Sequence, residues 1–320
     1  MRVEVIICTY NRVGSLQGTI QSILDTETPE NVSVELFIIN NNSSDATEQL
    51  IKEFTEKASG AKIKYLFEGK QGKSYALNTA LKHITGDIIA FTDDDIIVDK
   101  NCIKEMVKAI AKYPQYNCFG GRVLAKYNGE LPEWLDIEGS MKFLRSVFSN
   151  KDEGDEEREY GNSTISGLPG GCHMFFRREV IEKNGLFRTD LGPLGSELGF
   201  SEDVEYCQRL LNSGNKFMYI PAAIMYHPAH QERLNKGYLL KRQYKCGRAE
   251  VRKAGGYENA KKAFGVPRYL FGKILQHAVG WGFSLQVKTK FYHKLKLYYT
   301  FGEAIEHICL DFNNSKKSFD

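Results

Sequence analysis

Short apolar runs alternate with segments of helical spacing through the first 112 residues of the chain. Four of these runs are rich in β-branched and aromatic residues, which is typical of buried strands. Between them, apolar residues recur every three or four positions, as in amphipathic helices. Strands that alternate with helices predict an α/β fold with a mostly parallel sheet flanked by helices. The predicted strands cover residues 3–8, 34–39, 63–67 and 88–91.

The second half of the chain is less regular. The segment LPGGCHMFFR (168–177) predicts a glycine turn that enters a strand, and GFSEDVEYCQRLL (199–211) predicts the start of a helix. From about residue 235 the chain becomes helical and basic. We therefore predict one domain over residues 1–234, divided into halves 1–112 and 113–234, and a basic helical extension over 235–320.

Three polar clusters stand directly after predicted strands, namely TYNR (9–12), NNNSSD (40–45) and DDD (93–95). Ligands of open parallel sheets bind beyond the carboxyl ends of the strands. The clusters therefore predict one binding site at that edge of the sheet. The TYNR turn also excludes a nicotinamide dehydrogenase, which needs a G-x-G-x-x-G turn at this position.

The DDD cluster is the most specific of the three. Consecutive carboxylates repel one another unless a cation lies among them, and their oxygens suit Mg²⁺ or Mn²⁺. The cluster therefore predicts a divalent-metal site. A solvated acidic turn, or a helix N-terminus capped by Asp99, is the alternative.

Charge is distributed unevenly along the chain. The net charge of +3 is too small to predict nucleic-acid binding. The acidic run KDEGDEEREY (151–160) predicts a solvated, mobile loop. Residues 241–296 contain fourteen Lys and Arg against Glu250 and Glu258, interleaved with aromatic residues. This mixture predicts a segment at an anionic membrane surface, and a helical cap with a solvated basic face is the alternative.

The seven cysteines are scattered and contain no C-x-x-C pair. This pattern favours a reducing compartment over a disulfide framework or a zinc cluster. The chain starts directly with a strand-like run, and no apolar stretch reaches about 18 residues. We therefore expect neither a signal peptide nor a membrane-spanning helix, and a cytoplasmic location.

The motifs together resemble those of the family 2 glycosyltransferases, whose catalytic domain has the GT-A fold. The resemblance follows the family in order and spacing from Met1 to about Met225. It implies that residues 1–112 bind the nucleotide and residues 113–234 the acceptor. The matching segments are VIICTYNR (5–12), IINNNSSDAT (38–47), GKSYALNTALKHITGDIIAFTDDD (72–95), GGCHMFFR (170–177) and GFSEDVEYCQRL (199–210).

The resemblance implies roles for individual residues. Asp95 would bind the metal directly, and His227 stands where many members have a metal- or diphosphate-binding His. A hydrogen-bonded structural role is the alternative for His227, and His173 and His230 are weaker candidates. The residues implied to bind the nucleotide sugar are Thr9, Tyr10, Arg12, Asn40, Asn41, Asp45, Lys73, Asp93 and Asp94.

The chain departs from the family at Asn40, where most members have Asp. An Asn carbonyl can accept the same hydrogen bond from a base, so the identity of the base stays open. Glu202 and Asp203 match the family's Glu-Asp pair, whose Asp acts as the general base of an inverting transfer. The alternative is that the two acids only favour a helix N-terminus through its dipole.

We therefore predict an inverting, Mn²⁺- or Mg²⁺-dependent hexosyl- or N-acetylhexosaminyl-transferase. The donor would be a nucleotide sugar, with a UDP-sugar favoured, and the acceptor a hydroxyl of a glycan or lipid-linked glycan in surface polysaccharide assembly. The Gln-x-x-Arg-Trp motif of processive synthases is absent, so we expect addition of one or a few sugars. The alternatives are a sugar-nucleotide nucleotidyltransferase and an inactive, GT-A-like glycan-binding protein.

Overall fold

The structure is a computed structural model, and its described residues form two compact units. Unit 1 contains Met1–Lys126, Phe148–Asp190 and Glu202–Ala229, and unit 2 contains Tyr127–Val147, Leu191–Ser201 and His230–Asp320. The domain boundary between residues 234 and 235 stays a prediction. The described residues are 1–57, 62–127, 129–148, 150–161, 164, 167–193, 201–229, 231–256 and 260–317.

The first half of unit 1 is a parallel sheet with the strand order β3-β2-β1-β4. It confirms the four predicted strands and the mostly parallel α/β fold. The strands are β1 (Arg2–Thr9), β2 (Ser33–Asn40), β3 (Lys62–Phe67) and β4 (Ile88–Thr92). The helices are α1 (Val13–Leu24), α2 (Thr47–Lys57), α3 (Lys73–Leu81) and α4 (Cys102–Lys112).

Antiparallel strands extend this sheet beyond β4. They are β5 (Ile97–Val98), β6 (Cys118–Tyr127), β7 (Arg158–Glu159), β8 (Met174–Arg177) and β9 (Phe217–Ala229). The sheet continues from β4 through β8, β6 and β9 to β5, and β7 pairs with β9. The helices of this half are α5 (Arg178–Asn184) and α6 (Glu202–Asn212), and α6 confirms the helix predicted around the Glu202-Asp203 pair.

The hydrophobic core of unit 1 lies on both faces of the sheet. Val5 and Ile7 of β1 belong to one apolar layer and Ile6 to the other, because successive side chains of a strand point to opposite faces. Each of these side chains is buried, which stabilises the fold by about 1.5–3 kcal/mol per residue. Apolar residues on both faces explain why these strands appear in the sequence as continuous apolar runs.

The acidic run from 151 to 160 is a solvated loop only at its centre, where residues 154–157 are exposed and lie outside helices and strands. Lys151 pairs with Val123 in an isolated bridge, and Glu153 is buried. Arg122 Nε lies 3.1 Å from Asp152 Oδ1. Strand β7 joins the run to the sheet. The prediction therefore holds for the centre of the run but not for its ends, because the arginine that contacts Asp152 is distant in sequence.

Unit 2 confirms the basic helical character predicted for the C-terminal region. Its elements are α7 (Lys236–Lys253), the hairpin strands β10 (Lys262–Ala263) and β11 (Val266–Pro267), α8 (Arg268–Phe283) and α9 (Val287–Lys317), with short 3₁₀ helices at Lys142–Phe148 and Gln231–Leu234. Among the described helices of the chain, none has the length and apolar character needed to cross a membrane.

Helices α7 and α9 pack in close backbone contact. A Cβ atom at Gly247 would overlap the carbonyl oxygen of Tyr299, and one at Gly302 would overlap that of Tyr244. Glycine at both positions therefore allows the crossing. On the same pair of helices, Glu306 accepts hydrogen bonds from Arg248 Nε at 2.6 Å and Arg252 Nε at 2.7 Å.

Candidate active site

The carboxyl ends of β1, β2 and β4 bring the three predicted polar clusters to one edge of the sheet. Thr9 and Asn40 are register partners at the ends of β1 and β2. Their loops are tied together, since Asn11 N donates to Ser43 Oγ at 3.0 Å and Ser44 N donates to Asn11 Oδ1 at 2.7 Å. The predicted edge site is thus one connected structure.

Asn40 and Asp45, both predicted to bind the nucleotide sugar, have partners within this loop structure. Asn40 Oδ1 accepts from Ser43 N at 2.9 Å, and its amide donates to Tyr65 Oη at 3.3 Å. Asp45 Oδ2 accepts from the N–H of Val13, the first residue of α1, at 3.2 Å. Both side chains therefore shape the loops. Their contact with a base stays a prediction.

Asn41 fixes the loop that leads into α3. Its amide donates to the carbonyl oxygens of Glu68 at 3.1 Å and Lys70 at 2.8 Å, and its carbonyl accepts from Gly72 N at 2.8 Å. These bonds occupy both of its donor hydrogens and one lone pair. Because Asn41 is also buried, its observed role is to position the start of α3.

Asp93, Asp95 and His227 form a candidate metal centre. One ligand atom from each residue lies within 4.8 Å of the other two. The two carboxylates come from the turn after β4, and His227 comes from β9. The separation and the donor types, two oxygens and one imidazole nitrogen, fit a divalent cation such as Mn²⁺ or Mg²⁺.

The ring of His227 is oriented by its second nitrogen. Nδ1 lies 2.9 Å from Pro228 O and must donate, since a carbonyl only accepts. Nε2 points to Asp95 Oδ1 at 3.2 Å. Burial lowers the pKa of His227, but the hydrogen bond and charge of Asp95 outweigh it, so the pKa is raised. When Nε2 loses its proton, it becomes a lone-pair donor aimed at the cluster.

Two cations neutralise the acidic turn. Arg12 Nη1 lies 2.8 Å from Asp95 Oδ2 and 4.0 Å from Asp94 Oδ1, and Lys73 Nζ lies 2.6 Å from Asp93 Oδ1. Burial raises the pKa of Asp94 to about 6, although Arg12 opposes this shift.

The other two residues predicted to line the nucleotide pocket, Thr9 and Tyr10, stand at the carboxyl end of β1. Thr9 is buried at the end of β1, and Tyr10 after it is half-buried.

The Glu202-Asp203 pair begins α6 and joins the same charge network. Glu202 is buried, and its Oε1 lies 3.7 Å from Lys73 Nζ. Lys73 therefore lies within reach of both Asp93 and Glu202 and links the metal candidates to this pair. Burial raises the pKa of Glu202 to about 7, Asp203 adds to the shift, and Lys73 opposes it.

Gly171 provides the space for Asp203. A Cβ atom at position 171 would overlap Asp203 Oδ2 and lie 2.9 Å from its Cγ. The glycine turn predicted from the sequence therefore lets the second acid of the pair approach the backbone. The predicted E-D pair and the predicted G-G turn are parts of one arrangement.

For the sugar transfer that the family resemblance implies, with Asp203 as its base, replacing Gly171 with Ala is expected to lower turnover by about a hundredfold, because the new methyl group displaces the Asp203 carboxylate. The measurement is nucleoside diphosphate release at saturating donor, with the melting temperature as a check on folding. Gly170→Ala is the matched control, since its Cβ would meet the flexible Lys151 side chain at 3.2 Å and Cys172 Sγ at 3.8 Å, an ordinary contact distance. Equal activity in the two variants would contradict the positioning role.

The raised pKa of Glu202 predicts a pH-dependent gain in stability for Glu202→Gln. Between about pH 4.5 and pH 7 the folded state holds this proton more tightly than the unfolded state, so stability falls as pH rises. The variant escapes this loss, which amounts to at most about 3 kcal/mol at pH 8. We expect a higher melting temperature than wild type at pH 8 and little difference at pH 4.5. Glu205→Gln, in the first turn of the same helix, should show no such gain.

Sequence reasoning missed Lys151 as a residue of this site. Burial lowers the pKa of its ammonium group, and the charges of Asp203 and Glu153 partly oppose the shift. Its stem packs beside Gly170. Within the sequence this lysine is only the first residue of the acidic run, so no local pattern pointed to it.

His173, one of the two weaker histidine candidates, is not part of the metal-fitting cluster. His173 is buried, its Nε2 lies 3.5 Å from Cys102 Sγ, and burial lowers its pKa to about 3. It is therefore a neutral core residue beside Gly121, where a Cβ atom would overlap its ring. His230 and residues 199–200 of the predicted helix start lie outside the described residues.

This arrangement of a metal-fitting cluster and a carboxylate pair at a sheet edge agrees with the comparison with known families. Residues 4–185, more than half of the 320 residues, match the family described as glycosyl transferase family 2. The chain belongs to glycosyl transferase family 2. It is therefore a glycosyltransferase with the GT-A fold, as the resemblance implied.

Several relatives of this family 2 glycosyltransferase are known. Glycosyltransferase AglE of Haloferax volcanii is 25% identical over 252 residues, which are 78% of this chain and 73% of AglE. The chain spans smaller shares, 30% and 50%, of two other relatives.

Solved structures share its fold. Mannosyltransferase PcManGT from Pyrobaculum calidifontis, in complex with GDP-Man and Mn²⁺, has a TM-score of 0.62 at 18% identity and covers 96% of this chain and 86% of its own. TarS 1-349 of S. aureus in complex with UDP-GlcNAc has a TM-score of 0.54 at 14% identity. The match covers 99% of this chain and 92% of the TarS chain.

Proposed function

We propose that this family 2 glycosyltransferase transfers a sugar from a nucleotide-sugar donor to a hydroxyl acceptor, with inversion at the anomeric carbon. The observation that carries the proposal is the link from Asp93 through Lys73 to Glu202, which joins a metal-fitting cluster to the Glu202-Asp203 pair. A transfer requires the donor site and the base to lie close together, because the leaving diphosphate and the incoming hydroxyl react at the same carbon.

The donor half of the proposal rests on Asp93, Asp95 and His227. These residues would hold Mn²⁺ or Mg²⁺, which when bound would neutralise the diphosphate leaving group. The Mn²⁺ in PcManGT supports the choice of ion. Arg12 and Lys73, close to the same carboxylates, would add positive charge where the diphosphate oxygens become more negative.

The acceptor half of the proposal rests on Asp203. Its carboxylate would take the proton of the acceptor hydroxyl while the hydroxyl oxygen bonds to the anomeric carbon. The bond from that carbon to the diphosphate oxygen breaks in the same displacement, and the nucleoside diphosphate leaves. Glu202 would act as a buried partner that fixes Lys73 rather than as the base, because its side chain is only 7% exposed.

The nucleobase, the acceptor and the location are finer proposals. Solved structures with the same fold contain GDP-Man or UDP-GlcNAc. We favour a UDP-sugar as the donor of this enzyme. The acceptor would be a glycan or lipid-linked glycan of surface polysaccharide assembly, and one or a few sugars would be added. We propose a cytoplasmic enzyme that associates with the inner face of the membrane through its basic C-terminal region.

A thermal-shift screen of UDP-, GDP-, CMP- and dTDP-linked ligands, with and without Mn²⁺ or Mg²⁺, tests the donor site. A ligand at a hundredfold excess over its dissociation constant stabilises the protein by about 3 kcal/mol. We expect a metal-dependent shift with one nucleotide class. The absence of a shift with every ligand and metal would overturn the donor proposal.

Assigning the chain to a transferase family does not favour the two alternatives. A nucleotidyltransferase would release pyrophosphate from a nucleoside triphosphate, so a pyrophosphate assay separates it from the proposed enzyme. An inactive glycan-binding protein would bind glycans without releasing nucleoside diphosphate.

A further inference from the structure

The outer face of α8 is apolar and exposed. Phe271, Leu275, Val279 and Phe283 recur every four residues and therefore lie along one side of the helix. Phe283 is 84% exposed, and Leu285 in the turn to α9 is 99% exposed. We call these five residues the α8 ridge. The opposite side of α8 packs in unit 2, since Leu270 is buried in a cluster with Ala304 of α9.

The segment that carries the ridge has an excess of positive charge, although Lys262 Nζ lies 2.6 Å from Asp311 Oδ1. Residues 259–302 contain no Asp or Glu. In the described part of the chain, Lys273, Lys288 and Lys290 form no ion pair, and Lys294 Nζ lies over the ring of Trp281 at 5.2 Å. The eight cations of this segment are Lys261, Lys262, Arg268, Lys273, Lys288, Lys290, Lys294 and Lys296.

The exposed apolar side chains and the excess of positive charge together indicate what binds the ridge. A second copy of the chain could cover the apolar side chains, but it would bring the same excess of positive charge against the one already present, and like charges repel. An anionic bilayer offers both an apolar interior and a negative surface. A helix of 16 residues is about 24 Å long and can lie flat in the headgroup layer.

We propose that the α8 ridge docks this protein on an anionic phospholipid bilayer. The side chains of Phe283 and Leu285 enter the boundary between headgroups and acyl chains, and Lys288 and Lys290 contact lipid phosphates. Docking refines the membrane association proposed above but does not depend on sugar transfer. The two proposals can therefore fail separately.

Co-sedimentation of the full chain with lipid vesicles tests the docking. Vesicles of phosphatidylcholine alone are compared with vesicles that also contain phosphatidylglycerol, at low and high salt. We expect binding to the anionic vesicles and weaker binding at high salt, because salt screens exposed charges. Equal binding to both compositions, or none to the anionic vesicles at low salt, would overturn the proposal.

Paired variants separate the two contributions. Phe283→Ser with Leu285→Ser is expected to weaken vesicle binding by about tenfold or more, whereas Phe67→Ser with Leu186→Ser, exposed apolar positions of unit 1, should not. Lys288→Gln with Lys290→Gln is expected to weaken binding by about thirtyfold. Lys82→Gln with Lys100→Gln removes the same charge from exposed positions of unit 1 and is the matched control.

Three further outcomes decide the proposal. If each test pair binds vesicles like its control pair, the ridge is not the docking surface. If the wild type is a dimer in solution, the ridge variants are monomers and neither binds vesicles, a second copy covers the ridge instead. If the ridge variants keep the metal-dependent thermal shift with nucleotide but lose vesicle binding, docking is supported independently of the donor site.

Discussion

Asp203→Asn is expected to lower turnover by about a hundredfold to ten-thousandfold while donor binding stays nearly unchanged. An amide cannot take the proton of the acceptor hydroxyl. The start of α6 should persist, because Asp203 Oδ1 accepts from Val204 N at 2.8 Å and an Asn oxygen can accept the same bond. Nucleoside diphosphate release measures turnover, and the metal-dependent thermal shift measures donor binding.

Glu205→Gln and Glu202→Gln are the controls for this prediction. Glu205 lies one turn along α6 and pairs with Arg209 at 3.0 Å, so its loss should leave turnover close to wild type. Glu202→Gln should lose less activity than Asp203→Asn, because Glu202 is assigned to Lys73 rather than to the acceptor. A larger loss in Glu202→Gln would move the role of base to Glu202, and wild-type turnover in Asp203→Asn would exclude Asp203 from the chemistry.

The parallel half of the sheet was predictable from sequence because its strands are locally encoded. β1, β2 and β4 are continuous apolar runs, each buried on both faces, and a helix of clear apolar period follows β1 and β2. The short antiparallel strands β5 and β7 have two residues each. Such strands exist only through pairing with β9, a distant part of the chain, and no local period reveals them.

The residues of the candidate site could be named from the sequence, but the contacts between them could not. The motifs named Asp93, Asp95 and His227, and the structure brings their ligand atoms together. The sequence did not reveal that Lys73 joins Asp93 to Glu202, or that Gly171 makes room for Asp203. These contacts form between loops that follow different strands, so they depend on tertiary packing.

Charge patterns alone described the acidic run only in part, because its centre is exposed and its ends are not. Six acids among ten residues predicted a solvated loop, yet Arg122 from β6 neutralises part of the run. Lys151 and Glu153, at its start, turn inward. Local composition describes solvation correctly only where no distant counter-charge arrives.

Asp95→Asn is expected to weaken Mn²⁺ binding by about a hundredfold or more and to abolish the metal-dependent part of donor binding. This factor is a lower limit, because loss of a residue that only orients a metal ligand already weakens metal affinity by about ten- to a hundredfold. Asp95 is also the residue that Arg12 and His227 both contact. Titration of Mn²⁺ into the protein with the competent nucleotide measures the affinity.

Asp94→Asn is the matched variant for this experiment. It removes the same charge from the same turn, but Asp94 lies outside the metal-fitting cluster, so metal dependence should persist. Equal loss of metal dependence in both variants would indicate that the net charge of the turn, rather than ligation by Asp95, attracts the ion.

The pH dependence of metal affinity distinguishes ligation by His227 from a structural role. In the metal-free protein Asp95 raises the pKa of His227, and a metal must replace the proton on Nε2. Affinity for Mn²⁺ should therefore fall by about tenfold per pH unit below that raised pKa and level off above it. His227→Gln should bind Mn²⁺ more weakly without this dependence. A wild-type affinity that is flat across the pH range where the imidazole titrates would remove His227 from the metal centre and leave the two carboxylates as its ligands.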